Sequence, residues 1–373
     1  MKTIVGSVLA LTLILVPSAL GQDLPSQFVV HQPQVVASGD GNLLFVWKER
    51  AGRTANLFAA VLTDGTFGQT LRVNSVPDSV VGSPIDEMRA AVAIGPSGEV
   101  AVAWTDAEFN IQTAIAPSAG AEFRASLRLN QTEGRVLQEF PSITFDEDGA
   151  LHAVWLDPRS AGRPGAEEPA DLYYARVRDG EVMEQNLTAS QDSSVCGCCL
   201  PSIVESGGLL EIVFRNTTPD GYRDPFKIVG TTDGGFKDPR PISPAIWQIR
   251  ACPVAGPIQV GDAVLWFDGS TGVRRLLAAS RADREPAVVL EDSDQWTLRY
   301  PPRLVSGSPS LLLVPGRPAG YLMRYLGGTE LSLEASDLPG WATGAAVLDG
   351  YLHIVGTEDN SFRYVTRPLG AVQ

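Results

Sequence analysis

The sequence predicts an all-β propeller of about seven repeats of a four-stranded blade, with six blades and an irregular tail as the alternative count. Three observations lead there. Short apolar runs alternate with turn residues along the chain, which holds 37 Gly and 27 Pro, and no long segment carries helical periodicity. One unit recurs in a fixed order: strand, tight turn, strand, loop, strand, tight turn, strand. Its starts are spaced by roughly forty to sixty residues, the period of propeller blades, and radial closure removes edges that an open stack of sheets would expose.

The chain opens with MKTIVGSVLALTLILVPSALG, in which Lys2 precedes an uncharged apolar run from Ile4 to Val16 and small residues follow at Ala19 and Gly21. That is the layout of a cleavable secretory signal occupying residues 1–21, with the cut expected after Gly21. The run is short for a membrane span, and no other segment has spanning length. Residues 22–373 are therefore expected to form one propeller domain, exported to a periplasm or beyond the cell. The formal net charge of −14, or −15 once Lys2 is removed, argues against nucleic acid and anionic lipid as partners. An extracellular glycan or protein fits the charge and the expected compartment.

The clearest repeat runs from Phe140 to Thr188, FPSITFDEDGALHAVWLDPRS followed by ADLYYARVRDGEVMEQNLT. Equivalent starts fall at Pro33, Arg89, Leu200, Pro257, Pro302 and Ala342. The second strand repeatedly closes on an aromatic, as at Trp47, Trp104, Trp155 and Trp266. The last repeat supplies only three strands. The segment SQFVVHQ, ahead of the first repeat, offers a spare one, so Gln27–Val30 is expected to pair with Phe362–Val365 and close the ring. His152 and His353 hold equivalent places in second strands, which marks them as structural.

Two sets of residues carry a resemblance. Asp64-Gly65-Thr66-Phe67 and Thr232-Asp233-Gly234-Gly235-Phe236 resemble degenerate Asp boxes of the sialidase, or BNR-repeat, superfamily of propellers. No full S-x-D-x-G-x-T-W copy is present, and the box is a turn clasp that speaks for fold rather than catalysis. Cys196-Gly197-Cys198-Cys199 with the later Cys252-Pro253-Val254-Ala255-Gly256-Pro257 is similar to an exported bacterial group of sialidase-like proteins with C-x-C-C and C-P-V-x-G-P. What the superfamily resemblance implies for catalysis is an arginine group, an acid, and a tyrosine activated by a glutamate. Arg89, Arg299, Tyr300, Glu139 and Asp86 all fall near first-strand starts and supply those residue types. No catalytic residue is assigned by spacing, and an exo-sialidase stands as the alternative to a binding, metal or redox role.

The four cysteines occupy two stretches, each just before a first strand and therefore at one mouth of the channel. Three uses are open. Disulfides are the default in an oxidising compartment. Cys198–Cys199 makes a poor bridge because adjacent Cα atoms stand about 3.8 Å apart. Cys252 bridged to one of the three is the better pairing, with Cys196 and another cysteine closing a small loop. A thiolate site for copper or zinc is the second use, although C-x-C-C departs from the C-x-x-C of zinc knuckles. A redox-active pair is the third. Strand alternation would point Cys198 and Cys199 to different sides, so the three need not share one ion. His31 holds the corresponding place before the first blade, and Glu139, Arg299 and Tyr300 are further channel-mouth candidates.

Overall fold

A computed structural model describes residues 29–83, 88–159, 169–191, 193–249, 255–280, 285–295, 297–298 and 300–369. The expected signal and its cut, Gln27 and Phe28, Asp86, Arg299 and Cys252 lie outside them. Every regular element among the described residues is a β-strand, and no helix there is long and apolar enough to cross a membrane.

The strands assemble into antiparallel sheets in chain order. The first contains Val30–Ala37, Leu43–Ala51 and Thr54–Thr63, the last paired with three short outer strands. The second contains Ala91–Ile94, Val100–Thr105, Ile111–Ala116 and Leu127–Arg128. The third contains Glu139–Phe145, Leu151–Asp157, Pro169–Arg178 and Glu181–Asn186. The fourth contains Ser202–Ser206, Leu209–Thr217, Pro225–Thr231 and Arg240–Pro241. Ile258–Val260, Ala263–Asp268, Arg275–Ser280 and Ala287–Glu291 form the fifth. Arg303–Val305, Ser308–Val314, Ala319–Gly327 and Glu330–Pro339 form the sixth. Ala342–Leu348, Tyr351–Glu358 and Ser361–Pro368 complete the seventh.

The turns explain the meander. Asp64-Gly65, Asp179-Gly180 and Asp349-Gly350 each place both central residues at positive φ, the geometry whose twist matches antiparallel strands. Asp233 is a side-chain clasp: it accepts from the Gly235 amide at 3.4 Å and from the Thr231 hydroxyl. Asp146 does the same job inside the protein. One of its carboxylate oxygens accepts the amides of Asp148 and Ala150 at 3.1 and 2.7 Å, and the other meets His152 Nε2 at 3.1 Å. The equivalence of His152 and His353 extends to their contacts, since each ring stacks on a tyrosine of the next strand and bonds its hydroxyl at 2.8 Å.

Packing is strictly sequential. Leu44, Val46 and Leu57 meet Val100, Val102 and Trp104 between the first two sheets, and comparable apolar seams follow between each later pair. The last seam returns to the beginning: Val30, Val35, Phe45 and Trp47 pack against Ala346, Val355 and Tyr364. Trp47, Trp104, Trp155 and Trp266 are all buried in these seams, as a bulky apolar filler between twisted sheets must be. Among the described residues, the opening strands of these sheets, or the residues just before them, line one central cavity of about 500 Å³. Its wall holds Gln34, Arg89, Pro141, Leu200, Pro257, Pro302 and Thr343, which fall at or beside the repeat starts predicted from sequence.

One expectation is corrected at the junction. Val30 does not pair with Phe362–Val365; it begins the first sheet's inner strand opposite Glu49. Phe362–Val365 pairs with Ile354–Thr357 of its own sheet. The inner strand shifts register between His31 and Gln34, and Gln32 has φ 50°. That bulge carries Val30 and His31 along the second strand instead of releasing them across the seam.

A buried thiol cluster at the channel mouth

Ser194–Cys196 is a short strand that stitches two sheets together. Val195 pairs with Ala170 of the third sheet and Asn216 of the fourth, and Cys196 pairs with Pro169. Pro169 and Ala170, which open the third strand of the third sheet, therefore abut the cysteine strand. After Cys196 the chain does not continue as a strand. A turn closes at Cys199, whose amide reaches the Cys196 carbonyl at 3.3 Å, and the inner strand follows after Leu200-Pro201.

That turn overturns the expectation from strand alternation. The three sulfurs lie within 4.8 Å of one another on one side. Cys196 Sγ is 3.6 Å from Cys198 Sγ and 3.5 Å from Cys199 Sγ. The expected second bridge through Cys196 is also corrected, because Cys196 and Cys199 are buried free thiols. Cys198 is half-buried and disulfide-bonded. Leu200, next in sequence, lines the central cavity, which puts the cluster at the end where inner strands begin. The Asp64-Gly65 turn lies at the opposite end, because the third strand runs parallel to the first.

Two arginines that sequence reading passed over set the electrostatics. Arg223 Nη1 donates to Cys196 Sγ at 3.1 Å. Arg215 is fully buried and bonded to main-chain carbonyls: Ala255 O at 3.1 and 3.2 Å, Phe267 O at 3.0 Å, and Arg223 O. Because Arg223 already donates to Cys196, the negative charge of the pair settles there and the shared proton on Cys199. The hydrogen bond from Cys199, then the two arginine charges, bring the Cys196 thiol down to about 6 against the opposing effect of burial. Burial foremost, then the charged neighbour, pushes Cys199 well above the ordinary thiol range. The signal was available in LLEIVFRNT, where a charged residue interrupts an apolar strand at the place that Thr105, Leu156 and Phe267 hold in three other repeats and the equally buried Lys48 holds in a fourth.

The second cysteine stretch approaches the same place through its described end. The Ala255 amide hydrogen-bonds Cys199, and a Cβ on Gly256 would stand 1.7 Å from the Leu200 carbonyl oxygen. Only glycine permits that approach. Ala255 lies three residues beyond Cys252, a reach of about 11 Å at most.

The other candidates are spread around the ring. Arg89 is in the cavity wall, while Glu139 is half-buried at the start of its inner strand. Tyr300 precedes the wall residue Pro301 and takes the Arg303 guanidinium over its ring at 5.9 Å. His31 sits opposite Lys48, and burial, then Arg50 and Lys48, lower its pKa. Lys48 itself is almost wholly buried, donates to the Met88 and Ser83 carbonyls at 3.1 and 3.4 Å, and is lowered by desolvation to about 7.

No family model matches this sequence, and no curated protein matches it. Solved structures match in fold along nearly the whole chain. A puromycin-hydrolyzing peptidase of Mycobacterium tuberculosis aligns with 95% of it at TM-score 0.57 and 13% identity, and this chain spans only 55% of that one. The β-propeller domain of the Trilobed protease from Pyrococcus furiosus aligns with 92% at TM-score 0.51 and 8% identity, covering 99% of that chain. A PL25 ulvan lyase gives 92% and 96% coverage at TM-score 0.52 and 10% identity. Likeness at such low identity establishes the β-propeller fold and leaves the chemistry to the site.

Proposed function

We propose that this chain is an exported propeller of seven blades that binds a thiophilic metal ion, copper(I), at the cysteines of its channel mouth. The observation that carries the reading is the pair of buried free thiols, Cys196 and Cys199, whose sulfurs stand 3.5 Å apart. Two thiolates on one ion at about 2.3 Å stand about 3.8 Å apart at a tetrahedral angle and about 4.6 Å apart in line, so the 3.5 Å pair opens by about 1 Å to take a two-coordinate ion between its sulfurs. Copper(I) is favoured over zinc because Cys198 is in a disulfide, leaving Cys196 and Cys199 as free thiols. Soft thiolates hold copper(I) at low coordination number, whereas structural zinc asks for four ligands. Two thiolates with copper(I) carry one negative charge, which the Arg223 guanidinium offsets in a buried setting. Cys252 is the proposed partner of Cys198, a pairing supported by the contact of Ala255 with Cys199. The seven-blade count is supported by the seven opening strands around one cavity and by the seam between the last sheet and the first. Export rests on residues 1–21, and a glycan or protein in that compartment is the proposed partner.

The test is anaerobic titration of copper(I) against a chromophoric chelator, with native mass spectrometry before and after thiol alkylation. One copper per chain is expected, abolished by Cys196→Ser or Cys199→Ser and retained by Cys252→Ser. Zinc bound in preference to copper, or copper unaffected by the paired Cys196→Ser and Cys199→Ser change, would overturn the reading. A fluorogenic sialoside panel tests the exo-sialidase alternative, and no turnover is expected.

A further inference from the structure

We infer that the outer edge of the seventh sheet is a docking site for an extended segment of another protein, alternating apolar with acidic residues, which enters as the fourth strand of that blade. The surface belongs to a different sheet from the cysteines and is independent of the copper reading. The other six sheets each carry at least one strand outside their third, whereas among the described residues the seventh ends at Ser361–Pro368. That strand pairs with Tyr351–Glu358 along its whole length without a shift of register. Its hydrogen bonds alternate in direction. The Leu369 amide donates to Gly350 O at 2.8 Å, which makes those two a bonded pair. In the same register Arg367, Val365 and Arg363 are bonded to Leu352, Ile354 and Gly356. Phe362, Tyr364 and Thr366 fall between them, so their amides and carbonyls point out of the edge. A regular edge of β-branched and aromatic residues is a template that an extended chain completes.

The two faces of the edge set the chemistry of the occupant. Phe362 and Tyr364 belong to the apolar seam with the first sheet, where Phe67, on a short outer strand, is partly buried. At the preceding seam the outer strand of the sixth sheet supplies Ala335 and Leu338, both buried against the seventh. A strand added to the seventh sheet takes the matching place against the first, so its residues on that face are apolar. The other row of the edge carries Arg363 and Arg367 on either side of Val365, which packs toward the sixth sheet. Arg363 reaches Glu358 through Nε at 3.1 Å, and Arg367 reaches Asp337 through Nη1 at 2.8 Å. Each guanidinium therefore has further N–H donors for a carboxylate on the incoming strand. A second copy paired edge to edge would instead bring the arginines of both chains onto one face, which disfavours it.

The experiment uses the full chain and the fluorescence anisotropy of labelled peptides of about seven residues, the length of the open edge. One alternates valine with glutamate, and one alternates valine with lysine. Two more are valine–glutamate peptides N-methylated on one or the other set of alternate amides. The valine–glutamate peptide is expected to bind at micromolar concentration. Methylation of one set should abolish binding and methylation of the other should leave it unchanged, because an added strand pairs through one edge only. The lysine peptide should bind about tenfold more weakly, the worth of two opposite-charge cross-strand pairs. Thr366→Pro removes an outward amide and none of the bonds to Tyr351–Glu358. It should lower affinity by about tenfold or more, with an unchanged far-ultraviolet spectrum and a cooperative melt. The peptide series on the wild type decides the matter even if that variant does not fold. No binding by the wild type, equal binding of the two methylated peptides, or equal affinity for the lysine peptide would overturn the inference. So would sedimentation of the wild type as a dimer that Thr366→Pro returns to monomer, since a second copy would then hold the edge.

Discussion

Gly256→Ala is the sharpest mechanical test of how the two cysteine stretches are held together. A Cβ at Gly256 would lie 1.7 Å from the Leu200 carbonyl oxygen and 2.7 Å from its carbonyl carbon. Both are main-chain atoms at the base of an inner strand, so no side-chain rotation relieves the clash. Restoring ordinary contact at about 3.5 Å requires a shift of roughly 2 Å in the Ala255-Gly256 segment. Arg215 reaches Ala255 O at 3.1 and 3.2 Å, and such a shift takes both bonds beyond hydrogen-bonding range. A charged donor losing a buried acceptor costs about 2–3 kcal/mol, and residual overpacking adds about 1–2. About 4 kcal/mol against an unfolding entropy of roughly 0.7 kcal/mol/K, for about 350 residues, lowers the melting temperature by about 5–6 °C. Differential scanning calorimetry reads the shift, and dithionitrobenzoate reads faster reaction of the buried thiols without denaturant. Gly39→Ala is the control, because a Cβ there meets nothing within 4 Å and φ is not positive. If Gly256→Ala melts within 1 °C of Gly39→Ala, the close approach does not hold the two stretches together.

Three further changes follow from the same contacts. Lys48 titrates near 7 when folded and near 10.5 when unfolded, so between these values the unfolded chain binds the extra proton and stability rises with pH. Urea unfolding at pH 7, 8 and 9 should show a gain of up to about 1.4 kcal/mol per unit in the wild type that Lys48→Met removes, and parallel profiles would refute it. Asp146→Ala strips two amides and His152 of their acceptor and should cost about 2–4 kcal/mol in chemical unfolding. The exposed Asp233→Ala should leave the midpoint in place, and equal effects would deny that the buried clasp differs from the surface one. Arg215→Met should destabilise by about 3 kcal/mol through the carbonyls it leaves bare, and an unchanged midpoint would show that water replaces it.

The architecture was legible because each repeat states the same pattern independently, so that Trp47, Trp104, Trp155 and Trp266 reinforce one another. The cysteine turn was not. Alternation is a sound rule for a strand, but the strand ends at Cys196, and the turn that gathers three sulfurs is fixed by contacts with the third and fifth sheets. Arg215 and Arg223 were missed for a related reason. Their charge reads as surface until Ala255 and Phe267, some forty to fifty residues on, supply carbonyls to Arg215, and Ile249 O and Cys196 Sγ take the donors of Arg223. Val30 shows the limit of strand counting, because a bulge at Gln32 adds residues to one strand and removes them from its neighbour.

The seam between the first and last sheets sets a timetable for making this protein. Phe45 and Trp47 find Ala346, Val355 and Tyr364 only after roughly 300 further residues have been synthesised. At ~5–20 residues per second, translation alone separates the two by about 15–60 s. Throughout that interval one apolar face of the first sheet has no mate, while every intermediate sheet already has its preceding neighbour in place. The entropy of closing so long a loop grows only logarithmically with its length, so the delay is a matter of waiting rather than of a steep barrier. In a chain of this design the oldest apolar surface is thus the last to be covered, when Tyr364 arrives.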